Sequence, residues 1–242
     1  GLGDVYKRQL CIAFFAFAVG CAPAQKPLTD YVNPMLGTAT LWDSVDLGFK
    51  PTKRTWGAEV FPGSSLPNAM VQVSPVTKFH SGAGYQYEDS VIYGFTHTNK
   101  GHWNLCHIPL LPVTGTPTPG DYCSPFSHER ESAAPGYYQV FLDRYGVDAQ
   151  LSSTLRCAFH KYTYPAGAAA SLLADLQRSN EHVRAWDIRK EGDNVFAGWQ
   201  QTGEKMYFYA VANRPVTGIE PVVEGDREVR IVRFGEGDGA LE

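Results

Sequence analysis

The feature that most restricts how this chain can fold is a long series of short β-branched and aromatic runs, with no helical period that lasts three turns. Ala69–Ser74 (AMVQVS), Val91–Thr96 (VIYGFT), Tyr137–Leu142 (YYQVFL), Val147–Leu151 and Phe159–Tyr164 (FHKYTY) are such runs. Ser171–Leu176, Val183–Arg189, Val195–Gln200, Met206–Ala210 and Glu228–Phe234 continue the series. Each gives way to Gly, Pro, Asp or Ser, which favour turns over strand continuation. Ala166–Leu176 comes nearest to a helix, but Tyr164-Pro165-Ala166-Gly167 reads as a turn, so a strand is expected after it. The 24 Gly and 16 Pro suit many tight connections. Strands at such short spacing imply an all-β fold, a large antiparallel β-sandwich, rather than a βα alternation. Gly37–Glu59 is the longest stretch without pattern and is expected to be a loop, of a length that is usually functional or disordered.

The first residues follow other rules. Lys7 and Arg8 precede an uncharged apolar run, Leu10–Gly20, which is too short for the roughly 20 residues of a membrane span and suits the core of a secretory signal. Ala18-Val19-Gly20-Cys21 then resembles a bacterial lipobox, in which Cys21 carries the lipid; the other reading is an ordinary signal cut within Gly-Cys-Ala-Pro-Ala. Residues 1–21 are therefore expected to be a junction plus signal, and 22–30 (APAQKPLTD, from Ala22) a polar tether. Residues 31–242 are left as the folded domain, exported to the periplasm or the outer-membrane surface and tied to the membrane by the lipid. A net charge of −4, with Lys and Arg scattered, leaves no basic field for nucleic acid. Beyond the signal, Cys106, Cys123 and Cys157 show no CxxC spacing, so at most one disulfide and at least one buried free thiol are expected.

Several segments stand out together: Tyr31-Val32-Asn33-Pro34-Met35-Leu36-Gly37-Thr38, Phe61–Pro75 (FPGSSLPNAMVQVSP), Ile92–Thr98, Tyr122–Glu129, Pro135–Tyr138 and Phe159–Pro165. The first is similar to YVNPFIGT and the second to FPGATLPFGMVQLSP, and the rest resemble further blocks in the same order. Together they resemble one family, the calcium-dependent α-mannosidases of glycoside hydrolase family 92. Each block also has a structural reading. Pro62-Gly63 is expected to make a turn with positive φ, and Ser74-Pro75 to end a strand.

The resemblance implies the N-terminal β-sandwich of a two-domain enzyme whose larger α-helical domain lies C-terminal to it. The active site would lie between the domains around a Ca2+ ion, whose ligands fall mostly outside this chain. Hydrolysis of α-mannosidic linkages would proceed with inversion, one carboxyl protonating the leaving oxygen and a carboxylate activating water. The family keeps both acids in the C-terminal domain, so no catalytic residue is assigned here. The N-terminal domain would lend loops to a pocket for mannose-containing glycans. One loop begins after Gly37; there the family's GGHGHT is replaced, and Glu59 or Trp56 would take the place of the missing His. The other is His97–Cys106 (HTNKGHWNLC), which lacks the acidic residues usual after the Cys. In it, Trp103 would stack on a pyranose face, and His97, His102 or Asn104 would bond hydroxyls. Trp103 and His107 also have readings as core residues.

Two other functions remain open on sequence. One is a non-catalytic carbohydrate-binding lipoprotein on the same sandwich. The other is a glycan-releasing amidase using Cys106 and His107, which is disfavoured because neighbours in a strand point to opposite faces. The run Gly235–Glu242 is expected to close no core element, as in a truncated chain.

Overall fold

The computed structural model describes residues 26–41, 56–57, 59–100, 104–237 and 239–242. The signal, the Cys21 lipobox, His102, Trp103 and most of the long loop after Gly37 lie outside these residues. The chain divides into two compact units, Gly1–Val32 and Asn33–Glu242. The described part of the first carries one 3-10 turn, Leu28–Tyr31.

The second unit is built of strands, the early ones short: β1 (Thr40–Leu41), β2 (Trp56–Gly57), β3 (Ser64–Ser65), β4 (Gln72–Val76), β5 (Val91–Ile92), β6 (Gly94–Thr96), β7 (Leu110–Val113) and β8 (Ser124–Pro125). After a 3-10 turn at His128–Arg130 come β9 (Glu131–Ala134), β10 (Tyr137–Leu142), β11 (Val147–Ser153), β12 (Ala158–Thr163) and β13 (Ser171–Ala174). The last five are β14 (Ala185–Gly192), β15 (Val195–Gln201), β16 (Lys205–Val211), β17 (Val216–Glu224) and β18 (Arg227–Phe234). A seven-stranded sheet has the order β17-β18-β13-β7-β6-β4-β3. A four-stranded sheet, β12-β11-β10-β9, lies against its β3–β4 end through β11. A three-stranded sheet, β14-β15-β16, meets it where β14 touches β17 and where Phe196 packs edge-on to Phe234, centroids 6.3 Å apart. Every ladder is antiparallel, as expected for a large sandwich.

Sequence periodicity explains the burial. In β10 and β11 alternate residues, Tyr138, Val140, Leu142 and Val147, Ala149, Leu151, turn inward to the core. By contrast β7 (LLPV) and β13 (SLLA) are buried along their whole length, as central strands covered on both faces must be.

Several local expectations change. Gly63 does not take a positive φ. Its reason is close approach, since a Cβ there would lie 2.0 Å from the Val73 carbonyl oxygen. Pro75 does not end its strand; it sits inside β4, paired with Phe95. The turn before β13 is as expected, with Gly167 at φ 75° and the Ala168 N–H donating to the Pro165 carbonyl at 3.0 Å. The chain end does reach the core. Leu241 is 2% exposed and exchanges two backbone hydrogen bonds with Tyr162, of 2.8 and 3.0 Å. Cys106, Cys123 and Cys157 are all free thiols, and only Cys106 is buried.

Candidate functional site

The connection between β6 and β7 begins at His97 and ends just beyond His107. His97 turns inward between sheets. Its Nδ1 is 2.8 Å from the Ile108 carbonyl oxygen, and its Nε2 is 3.0 Å from Nε2 of His160, whose Nδ1 is 2.6 Å from the Tyr162 hydroxyl. A carbonyl only accepts, so neutral His97 carries its proton on Nδ1 and accepts at Nε2. His160 then donates from Nε2 and accepts from Tyr162 at Nδ1. One arrangement of hydrogens satisfies the whole chain. Burial pushes His97 down to about 4, and burial together with His97 pushes His160 well below the usual imidazole range. With both ring nitrogens engaged, His97 turns none toward a sugar hydroxyl.

His107 turns the other way. It is 3% exposed, and its Nδ1 lies 2.8 Å from Thr98 Oγ1, an oxygen that also accepts from the His107 backbone N–H at 3.1 Å. Thr98 therefore donates to Nδ1, and the Nε2–H is left for Glu181 Oε2 at 3.1 Å and Thr202 Oγ1 at 3.0 Å. Thr202 donates to the same Glu181 oxygen at 2.9 Å. Burial pushes the imidazole down while Glu181 opposes the shift. The outcome is a carboxylate with one oxygen fixed from behind.

On either side of His107 the backbone is strained. Leu105, Cys106 and Ile108 have φ of 63°, 59° and 57°, a region that costs a side-chain-bearing residue about 1 kcal/mol or more. The segment is therefore no strand, and the geometry that separates Cys106 from His107 is this twist rather than a pleat. The Cys106 thiol faces Asn99 Oδ1 at 3.5 Å and the Ala83 carbonyl at 3.7 Å, and burial pushes it up to about 12. Gly84 makes room for it, since a Cβ there would lie 2.6 Å from Cys106 Sγ. A buried, protonated thiol turned away from the imidazole is no nucleophile. Asn180 holds the twist in place. Its N–H donates to the Leu105 carbonyl at 3.0 Å, and its Nδ2 donates to the Ser81 and Asn104 carbonyls at 2.9 and 3.3 Å. Its Oδ1 accepts from the His80 N–H at 2.7 Å.

Asn180 thus ties residues 104–105 to the 80–81 turn, whose His80 lines a groove of about 1230 Å³. Phe79, His80, Arg178, Glu181, Trp186 and Arg227 are among the residues that line it. Beneath it Asp175, fully buried, accepts from the Tyr122 hydroxyl at 2.6 Å and Arg227 at 2.7 Å, with Arg178 Nε at 3.6 Å. Burial outweighs these partners and pushes the Asp175 carboxyl up. The Arg178 guanidinium in turn lies 5.2 Å from the centre of the Tyr93 ring and 5.6 Å from that of Phe79. Planar donors, fixed carboxylates and aromatic faces in an open groove suit polyhydroxyl ligands.

Of the residues singled out from sequence, Gly37 takes a left-handed φ of 87°. Its loop reaches the groove's edge, where the Thr40 N–H donates to Glu88 at 2.7 Å. Asn104 is half-buried beside Asn180; among the described residues its Oδ1 has no partner. Glu59 is half-buried and is not among the groove residues. The groove's residues at 177–182 fall in the polar run between two strand-like segments, which holds Arg178-Ser179-Asn180-Glu181-His182, and those at 183–187 read simply as the start of the next strand. That cluster of charged and amide side chains was the signal available.

The sequence model of the glycosyl hydrolase family 92 N-terminal domain matches residues 31–236. None of the curated proteins matches the chain. A family GH92 α-mannosidase of Bacteroides thetaiotaomicron, solved with mannoimidazole, superposes with a TM-score of 0.74 at 24% identity, covering 88% of this chain and 31% of that one. A family GH92 inverting mannosidase of Bacteroides thetaiotaomicron VPI-5482 gives 0.71 at 21% identity, covering 91% and 31%. At these identities the structures speak to fold alone. The chain spans about a third of the length of these solved relatives.

Proposed function

We propose, from the premise that this chain belongs to glycosyl hydrolase family 92 as an N-terminal domain, that it is the accessory domain of an exported α-mannosidase acting on mannose-containing glycans. The family match over residues 31–236 carries this reading. The groove lined by Glu181, which His107 of the β6–β7 connection contacts, supports it.

In this proposal the chain binds and orients the sugar. Glu181, braced by His107 and Thr202, and His80, braced by Asn180, offer fixed polar groups to hydroxyls. His102, Trp103 and Asn104, in the loop beside Leu105, would add a stacking face and further hydrogen bonds. The general acid and the base that activates water belong to the C-terminal catalytic domain, so inversion would be completed there.

Calcium needs several oxygen ligands. Among the described residues no three His, Cys, Asp or Glu side chains gather to hold an ion. Five of the six groove carboxylates are engaged elsewhere: Glu88 by the Thr40 N–H, Asp89 by the Thr77 hydroxyl, Glu181 by His107, Asp187 by Arg189 and Glu228 by Arg230. The described residues therefore do not fit the ion, and no step assigned to this chain runs through it. Export and anchoring are proposed on the charged, apolar and lipobox segments that end at Cys21.

The test compares the full-length polypeptide with residues 22–242 on an aryl α-mannoside. Turnover with inversion is expected of the first and none of the second. A full-length polypeptide that binds mannosides without cleaving them would replace the enzyme with a binding lipoprotein.

A further inference from the structure

Strand β16 breaks the rule that the water-facing side of an antiparallel sheet is polar. Its inward residues, Met206, Phe208 and Ala210, pack on the core. Its outward residues Tyr207, Tyr209 and Val211 are 72%, 69% and 62% exposed. Register sets Tyr207 opposite Trp199 and Val211 opposite Val195, so one face of β15 and β16 forms a continuous aromatic and aliphatic strip. Lys205 lies 3.8 Å above the Trp199 ring at its end. β16 is also the outer strand of its sheet, with one edge unpaired among the described residues. An apolar strip on such an edge marks an interaction surface.

The position of residue 242 in the fold and the length of the solved relatives point to the partner. Asn213, two residues beyond β16, donates from its backbone to the Glu242 carbonyl at 2.8 Å and from Nδ2 to the Ala240 carbonyl at 2.9 Å, and its Oδ1 accepts from the Glu242 N–H at 3.0 Å. Residue 242 is thus fixed beside the end of the strip. The solved relatives are about three times as long as the matched segment, and the family model describes an N-terminal domain, so their remainder lies C-terminal to it. In a polypeptide of that length, the chain beyond residue 242 emerges at this border. There a high effective concentration lets a modest apolar contact suffice.

We infer that the Tyr207–Tyr209–Val211 face is the docking surface for the catalytic domain of the same polypeptide. This rests on the reading above that such a domain is present. Hydroxyl-radical footprinting of the full-length polypeptide tests it. Tyr207 and Tyr209 should be labelled as slowly as the fully buried Tyr85 and Tyr138. Labelling at the rate of the urea-unfolded chain overturns the inference. So does protection that fades on dilution, which means a second copy, or protection that requires added mannan, which means a glycan site. The paired substitution Tyr207→Ser with Tyr209→Ser should split one thermal transition into two, and an unchanged single transition counts against docking here. An α-mannoside assay on the same preparation keeps the two questions apart. Activity with fast labelling retains the enzyme and removes this surface, whereas slow labelling without activity does the reverse.

Discussion

Of the two histidines that close off the β6–β7 connection, His97 turns between the sheets and finds only neutral partners, whereas His107 turns toward the groove and finds a carboxylate. Burial depresses both imidazoles. Their partners differ in what they allow. Ile108, His160 and Tyr162 fix His97 as a piece of the scaffold, while Glu181 is 36% exposed and carries the fixed position of His107 out to solvent. The strained backbone between them is thus anchored to the fold at one end and to the groove at the other.

The largest test of this contrast is His160→Ala. It removes a half-buried ring and leaves Nε2 of His97 without its donor, so unfolding stability should fall by about 3 kcal/mol. Denaturant midpoints measure the loss, and activity per folded full-length molecule should hold. If His160→Ala costs less than His107→Ala, the assignment of scaffold and groove roles is reversed.

Acid supplies the next test. His97 titrates near 4 when folded, against about 6.5 for the unfolded side chain. The unfolded chain then binds the extra proton between these values, so this contribution is whole above pH 6.5 and is lost as pH falls toward 4. The slope for such a group is about 1.4 kcal/mol per pH unit, or about 2 kcal/mol between pH 6.5 and 5. His160→Ala should flatten the profile, and equal slopes in both proteins would argue against a neutral pair.

At the groove end, Glu181→Gln keeps shape and removes charge. In the full-length enzyme kcat/KM should drop by about tenfold, equivalent to about 1.4 kcal/mol, with the melting temperature little changed. Unaltered kinetics would make Glu181 merely a partner that satisfies His107. The smallest effect concerns the thiol between the two histidines. A thiol reagent should modify exposed Cys157 promptly and leave Cys106 untouched until the chain unfolds. Early modification of Cys106 would mean that the strained segment opens in the native state.

Much of the sandwich was legible because its strands carry the period of their faces. Val147–Leu151 (VDAQL) alternates apolar and polar residues in sequence as it alternates inward and outward in space. What was missed has local causes. β7 contains Pro112, which reads as a strand breaker. It is accommodated because β6 pairs with β7 only at Phe95 and Leu110, leaving no ladder on that side at Pro112. β17 carries Gly218 and Pro221 and is the outer strand of its sheet, with a register shift between Val216 and Gly218. The candidate site was harder to read. Its residues come from turns around 80, 104 and 180, brought together by Asn180, and no spacing along the sequence announces a meeting of three loops. His97 sits in a conspicuous polar motif, yet its partner, His160, is 63 residues away on β12.

The row from Tyr162 through His160 and His97 to the Ile108 carbonyl also has a direction. Passing a proton along it would require every donor to become an acceptor in turn, and the last member, a peptide oxygen, has no hydrogen to return. The row therefore cannot run backwards and is a poor proton conductor. It acts as a latch with one setting, and the two imidazole N–H protons should exchange slowly with solvent and give one sharp pair of NMR resonances rather than a tautomeric average.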